Sequence, residues 1–381
     1  MRMSGLYIHI PFCHSKCTYC DFFSAPSMMT MQKDYIKALL KELELRNNEV
    51  PTPFSTIYIG GGTPSILDTE TLNLLFAGLS PYINDNIKEF TIEVNPEDVS
   101  ENLIETFATN GVNRISMGIQ SFDDDTLSLI SRRHNSQKAA KAISIIKSFD
   151  LNFSCDLIYG LPSNNTHKTS NDLFEYSLEK LLSFAPPHIS AYLLSFEKGT
   201  QIYSQREKGI ISEISDEKAE EAYIYLCETL RNAGYSHYEI SNFALPGKEA
   251  IHNSNYWNYT PYLGLGCSAH SFDGALRRYN PNNIPQYISS IINDNKTLFI
   301  TEETDDIERY NDLIITSLRT AAGLNIELIE TSFPEFIQEY FHKESRKMIS
   351  SGLLLIKKNV IYIPEEYWLT SDYIFRNLIY A

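Results

Sequence analysis

The chain lacks any apolar run long enough to cross a bilayer, a job that takes about 20 consecutive apolar residues. Its first residues also lack the basic-then-apolar layout of a secretory signal. Positive charge is scarce. Against 48 Asp and Glu stand 32 Lys and Arg, a formal net charge of −16. That excludes general nucleic-acid binding, which needs a basic field to neutralise phosphates, while leaving room for a small anion held by a few local arginines. Six cysteines do not make a disulfide framework, so a reducing, cytoplasmic compartment is expected. Internal repeats and low-complexity segments are missing too. What the chain does have is 381 residues, 43% of them hydrophobic, with 24 Tyr and 20 Phe. This is enough for one large α/β domain and a smaller one.

Three of the six thiols fall within Cys13-His14-Ser15-Lys16-Cys17-Thr18-Tyr19-Cys20, in a loop opened by Pro11 just after the apolar run Leu6–Ile10. An odd set of close thiols suits disulfides poorly. Zinc wants a fourth ligand, usually from a second paired knuckle, and none follows nearby. Thiolates also hold iron–sulfur clusters, normally one per iron. Three of them on a four-iron cluster leave one iron open to a substrate or cofactor.

Strand-like and helix-like runs alternate through about residue 195. The strands predicted are 6–10, 56–59, 89–94, 114–119, 152–158 and 188–195, with amphipathic segments at 34–46, 69–79, 100–109, 136–148 and 171–183. Six βα units imply a parallel sheet with right-handed crossovers, either doubly wound or a barrel. The strand faces choose between them. Phe90, Ile92 and Val94 oppose Thr91 and Glu93; Ile115, Met117 and Ile119 oppose Ser116, Gly118 and Gln120; Phe153, Cys155 and Leu157 oppose Ser154 and Asp156. A sheet buried on both faces is apolar on both, and a closed eight-stranded barrel fills its lumen with branched apolar side chains. A polar inner face fits a splayed, incomplete barrel with a wet lumen.

The C-x3-C-x2-C spacing, with Tyr19 before the last Cys, resembles the signature of the radical S-adenosylmethionine superfamily. In that superfamily the open iron binds the amino and carboxylate groups of S-adenosylmethionine, and an electron from the cluster cleaves the sulfonium C–S bond to give a 5′-deoxyadenosyl radical. The resemblance implies a 4Fe–4S cluster on Cys13, Cys17 and Cys20, S-adenosylmethionine as cofactor, an electron donor, and a partial (β/α)6 barrel. Gly60-Gly61-Gly62-Thr63-Pro64 follows the second strand and is neither a Rossmann fingerprint nor a P-loop. It resembles the family element whose backbone meets the methionyl amino group. Glu93, Gln120 and Asp156 lie towards the C-terminal ends of their strands, where barrel active sites gather, and Arg132 follows one helix later. The resemblance places these four, with Tyr7 and Tyr19, against S-adenosylmethionine. The stretches 7–13, 114–122 and 156–162 are similar to the coproporphyrinogen dehydrogenase branch, and the likeness covers nearly the whole chain.

Two readings compete within that branch. Oxygen-independent coproporphyrinogen III dehydrogenases, which oxidatively decarboxylate two propionates to vinyls, carry a further Cys two residues after the third ligand and an extension before the cluster. Here Phe22 stands at that position, and Cys13 comes almost at once. His252-Asn253-Ser254-Asn255-Tyr256-Trp257 resembles the HNxxYW motif of the branch's heme chaperones. The favoured expectation is therefore a protein that binds heme and passes it to an acceptor protein, with transient membrane-surface contact during delivery as a further candidate. His252 is the candidate heme ligand, with Tyr256 and Trp257 offering flat faces. Cys267 and His270 form a rival ligand set, although a glycine-rich turn near the barrel mouth is the plainer reading of 264–271. Arg277-Arg278 is the nearest basic pair for propionates. Cys155 and Cys227 read as buried, inert thiols.

The boundary between domains is expected at 275/276. Beyond it, 280–285 reads as a linker, 305–319 and 333–350 as helices, and 353–357 with 360–363 as a hairpin, followed by a short helix from Ser371. The whole resembles a winged helix, and its expected place is over the barrel mouth.

Overall fold

Six parallel strands stand side by side in the order in which the chain makes them. The structure is a computed structural model that describes residues 3–163 and 167–380. The strands are β1 (Gly5–Ile10), β2 (Thr56–Gly61), β3 (Glu89–Val94), β4 (Arg114–Gln120), β5 (Asn152–Tyr159) and β6 (His188–Leu193). The helices Gln32–Arg46, Thr69–Leu79, Glu101–Thr109, Ser136–Ser148 and Ser170–Leu182 lie along the five crossovers. Their starts follow local chemistry. Asp68, Ser100 and Asn135 each accept a hydrogen bond from the backbone amide three residues on, and Thr169 with Asp172 forms a reciprocal capping box. The apolar strand faces, Phe90, Ile92, Ile115, Met117, Cys155 and Leu157 among them, are buried within the main core. The opposite faces point into the lumen, so the polar alternation read from the sequence becomes a polar well.

The sheet does not stop at six strands. β7 (Ser236–Glu239) and β8 (Asn242–Ala244) extend it antiparallel beyond β6, in the order β6-β8-β7. At the other edge β9 (Tyr262–Leu265) runs parallel beside β1, and β10 (His270–Phe272), β11 (Arg277–Tyr279) and β12 (Ile300–Glu302) follow antiparallel. β11 and β12 thus carry the sheet past residue 275. The stretch 280–285 is no linker: Asn283 caps the helix Ile284–Ile292, whose first turn takes Pro285, a position that needs no amide hydrogen.

A buried ion pair holds the β9 edge. Glu42 and Arg46 are 1% and 2% exposed and pair at 2.6 Å. Glu42 also accepts from the Gly266 amide (2.9 Å), Asn280 (2.8 Å) and the Tyr287 hydroxyl (2.5 Å). Arg46 donates to Ser271 and to the carbonyl of Gly264. The 264–271 stretch is therefore a structural turn: Cys267 is buried with its amide on the Tyr35 hydroxyl, while the exposed His270 ring stacks on Tyr279. The two do not form a ligand set.

The C-terminal part packs the helices Asp306–Leu318, Ile326–Ser332, Glu335–Ser350 and Ser371–Leu378 with β13 (Leu324–Asn325), β14 (Leu355–Lys357) and β15 (Val360–Tyr362), in sheet order β13-β15-β14. It does not roof the mouth. The amide of Ala321 donates to the Tyr238 carbonyl, that of Ile240 to the Arg319 carbonyl, and the Arg319 guanidinium lies 5.1 Å from the Trp257 ring centroid. These contacts dock it beside and beneath the barrel, because the apolar and aromatic surface it can cover lies there.

Candidate functional site

The loop between β1 and the first crossover helix lies at the C-terminal ends of the strands. Its two limbs are joined by the Ala25 amide on the Pro11 carbonyl (2.7 Å). It is tied outward by Thr18, whose amide donates to the Ile130 carbonyl and whose carbonyl accepts from the Ile202 amide. Cys13, Cys17 and Cys20 all line one cavity of about 420 Å³ that runs down into the lumen. Tyr19, Gly61, Gly62, Thr63, Glu93, Gln120, Arg132 and Asp156 line the same space. Most of the residues expected from sequence therefore converge on one compartment.

Each is held by a specific partner. The Glu93 carboxylate accepts from the Tyr58 hydroxyl (2.7 Å) and the Gly61 amide (3.0 Å). Burial pushes its pKa up to about 7, against the pull of those two donors. Burial likewise lifts Asp156 to about 6, with Ser190 opposing. Arg132 donates to the Gly118 carbonyl (2.6 Å) and Asn95 (2.8 Å), and its other terminal nitrogen lies 3.6 Å from Cys17 Sγ. Gln120 sits at φ 68° beside an irregularity in the β4–β5 register, which turns the strand end. The glycine run has a packing cause of its own. A Cβ on Gly60 would lie 2.7 Å from the Glu93 carboxylate, one on Gly61 2.6 Å from the His9 ring, and one on Gly62 2.6 Å from the Phe12 carbonyl.

Three expected residues lie off the cavity wall: Tyr7, His252 and Gly60, the last packed against Glu93 and Tyr58. Tyr7 does not line the cavity; its hydroxyl meets His9 Nδ1 at 3.0 Å and its ring packs near Tyr58 and His252. His252 is 1% exposed and sits at the other end of the barrel. Its Nδ1 pairs with Thr56 Oγ1 (2.8 Å) and its Nε2 with the Tyr256 hydroxyl (2.9 Å). Burial, then the charge of Arg114, pushes it down to about 3, so it is neutral. Both ring nitrogens of this candidate heme ligand are therefore hydrogen-bonded to hydroxyls, and the one lone pair of the neutral ring accepts from one of them. His252 belongs to a plug. The helix Ile251–Trp257 presents its first amides to Glu89, at the start of β3, and Asn255 donates to Thr56, at the start of β2. A Cβ on Gly5, at the start of β1, would lie 3.1 Å from the His252 ring. Sequence reasoning also passed over Arg114, Ser190, Tyr192 and Asn95, which line the same cavity. Arg114, Ser190 and Tyr192 fall on the inward alternation of β4 and β6, a signal the sequence carried.

The donors fit a cluster better than a single ion. One tetrahedral metal needs its ligand atoms about 3.5–4 Å apart. Among the described residues the three sulfurs do not gather within 4.8 Å of one another, although they face one cavity. A cubane spreads its thiolates over separate irons. A four-iron cluster held by these three thiols would keep one iron free of protein ligands, and Glu93, Arg132 and Asp156 line the same cavity.

An open parallel barrel with a three-thiol loop at its mouth defines a radical S-adenosylmethionine protein, and the profile of that superfamily matches residues 7–173. The HemN C-terminal domain profile matches residues 304–366. The chain is 31% identical to the heme chaperone HemW of Lactococcus lactis, over 99% of this chain and 98% of that protein. With the Bacillus subtilis HemW it shares 30% over 98% of each chain. The Escherichia coli coproporphyrinogen III oxidase HemN, described as a radical SAM enzyme, superposes with a TM-score of 0.83 over 99% of this chain and 90% of that one, at 21% identity, a likeness of fold. The chain belongs to the heme chaperone HemW family of the radical SAM superfamily.

Proposed function

We propose that the protein binds heme and hands it to an acceptor protein in the cytoplasm. In this reading Cys13, Cys17 and Cys20 hold a 4Fe–4S cluster served by an electron donor, and the lumen holds S-adenosylmethionine. The observation that carries it is the end-to-end likeness to heme chaperones. When bound, the cluster supplies a reducing electron and an open iron for the methionyl group. The chain's own residues do the holding: Gly61, Gly62 and Thr63 offer backbone at the rim, Glu93 and Asp156 offer negative charge to a cation, and Arg132 steadies the loop through Cys17. Tyr19 and Gln120 complete the wall. Phe22, 64% exposed at the rim, puts an inert ring where a dehydrogenase of this branch has a thiol.

The chamber for heme in this proposal lies under the plug. A cavity of about 630 Å³ separates the outer side of the helix Ile251–Trp257 from the C-terminal part, within the size range of ordinary cofactor sites. Trp257, Tyr259, Phe272 and Phe333 supply apolar faces, and Arg277 and Arg309 supply cations suited to propionates. The motif then works on both sides, with His252 and Asn255 closing the barrel and Trp257 facing the chamber. Anaerobic reconstitution followed by incubation with heme or with coproporphyrinogen III tests the assignment. A protein-shifted Soret band at one heme per chain, without protoporphyrinogen, is expected, and Arg277→Ala should weaken heme binding. Multiple turnovers of coproporphyrinogen would establish the dehydrogenase instead.

The lumen adds a pH dependence. Glu93 is held neutral up to about 7, and binding a sulfonium or ammonium there favours the charged form. Affinity for S-adenosylmethionine should therefore rise as pH climbs through about 7, with proton release below it. Isothermal titration at pH 6 and pH 8 measures this; Glu93→Gln should remove most of the difference, and a flat wild-type profile would count against the role of Glu93.

A further inference from the structure

Away from the cavity, three chemically different ligand groups from three elements meet at the seam between barrel and C-terminal part. Cys227 lies on the helix Asp216–Asn232, His237 on β7, and Glu365 in the short turn Glu365–Tyr367 that follows β15. One ligand atom from each falls within 4.8 Å of the others. Cys227 Sγ is 3.9 Å from His237 Nδ1, and Glu365 Oε1 is 2.8 Å from the same nitrogen.

The hydrogen bonding of the imidazole makes this more than a crowd. His237 Nε2 meets the Ile240 carbonyl at 3.2 Å. A carbonyl can only accept, so Nε2 carries the hydrogen. The Glu365 carboxylate can likewise only accept, so without a cation Nδ1 donates to it at 2.8 Å. A cation would take the place of that hydrogen, among one nitrogen, one oxygen and one sulfur. Arg231 donates to the second Glu365 oxygen (2.7 Å), and the ring is clamped between Phe243, stacked at 3.9 Å, and Trp368, edge-on at 4.4 Å. Such outer partners, a carbonyl on the far nitrogen and a donor on the carboxylate, are what orient metal ligands.

We propose that Cys227, His237 and Glu365 form a site for a zinc-class divalent cation that rivets the C-terminal part to β7. Sulfur, imidazole and carboxylate together suit zinc, with water as the fourth ligand. Tetrahedral geometry with these donors asks for ligand separations of about 3.3–3.6 Å; the two that involve Nδ1, 3.9 and 2.8 Å, bracket that range, and sulfur and carboxylate oxygen lie within 4.8 Å of each other. Cys227 would lose its proton as the cation binds.

The test uses the full chain, reconstituted anaerobically with its cluster, then exposed to zinc and gel-filtered. One zinc per chain beyond the cluster iron is expected, with zinc-edge X-ray absorption showing a single sulfur neighbour at about 2.3 Å. Cys227→Ser and, separately, Glu365→Gln should each lower zinc affinity by tenfold or more while leaving the iron content unchanged. Three sulfur neighbours would put the metal on the Cys13–Cys20 loop and overturn the proposal. So would no retained zinc, the result for a protonated His237 simply paired with Glu365, or equal retention by both variants.

Discussion

Replacing Cys17 by Ser is expected to give a folded chain that emerges from anaerobic reconstitution without its cluster. Iron should fall from about four atoms per chain to a small residue, and the broad visible absorption and the reduced-state electron paramagnetic resonance signal should disappear with it. The fold should survive, because the loop is held by backbone bonds at Pro11, Thr18 and Ala25 rather than by the thiols. Circular dichroism provides that control. Cys17 is the informative choice of the three, since Arg132 approaches its sulfur at 3.6 Å while also reaching Gly118 and Asn95. The cluster site and the lumen wall therefore share one side chain. Wild-type iron content and spectrum in the variant would refute the assignment of the loop.

The largest expected effect on stability lies far from that loop. Glu42→Ala should destabilise the fold by about 3–5 kcal/mol, because it removes the acceptor shared by the Gly266 amide, Asn280 and Tyr287 and leaves these buried donors unpaired, while Arg46 keeps Glu49 as its remaining partner. The shift of the urea midpoint measures it. A double replacement, Glu42→Leu with Arg46→Met, should not recover the loss, because the other donors remain unpaired and Glu49 loses Arg46. A single-variant cost below about 1 kcal/mol would mean that water reaches the network.

Long strands with clean alternation were legible in the sequence, and so was the chemistry of their inner face. Glu93 and Asp156 stand in the cavity where the pattern of β3 and β5 put them. The added strands were not legible. β8, β10, β11 and β12 are three residues each, too short for a period of two to register, and Gly264 and Gly266 made the β9–β10 stretch read as a turn. The position of His252 was not legible for a different reason. A linear motif names side chains suited to a ligand but does not say at which end of a barrel its helix will lie. That depends on Gly5, Thr56 and Glu89, which are about 160 to 250 residues earlier in the chain. The winged C-terminal part was recognisable from its helices and from the turn at Lys358, which adopts φ 55°. Its docking side was not, since exposed aromatic surface beneath the barrel appears only once the plug is in place.

That plug makes the lumen a cul-de-sac. With the helix Ile251–Trp257 seated on the first residues of β1, β2 and β3, whatever enters past the cysteine loop must leave by the same door. Occupants of the well have to come and go in sequence, so a spent molecule blocks its successor.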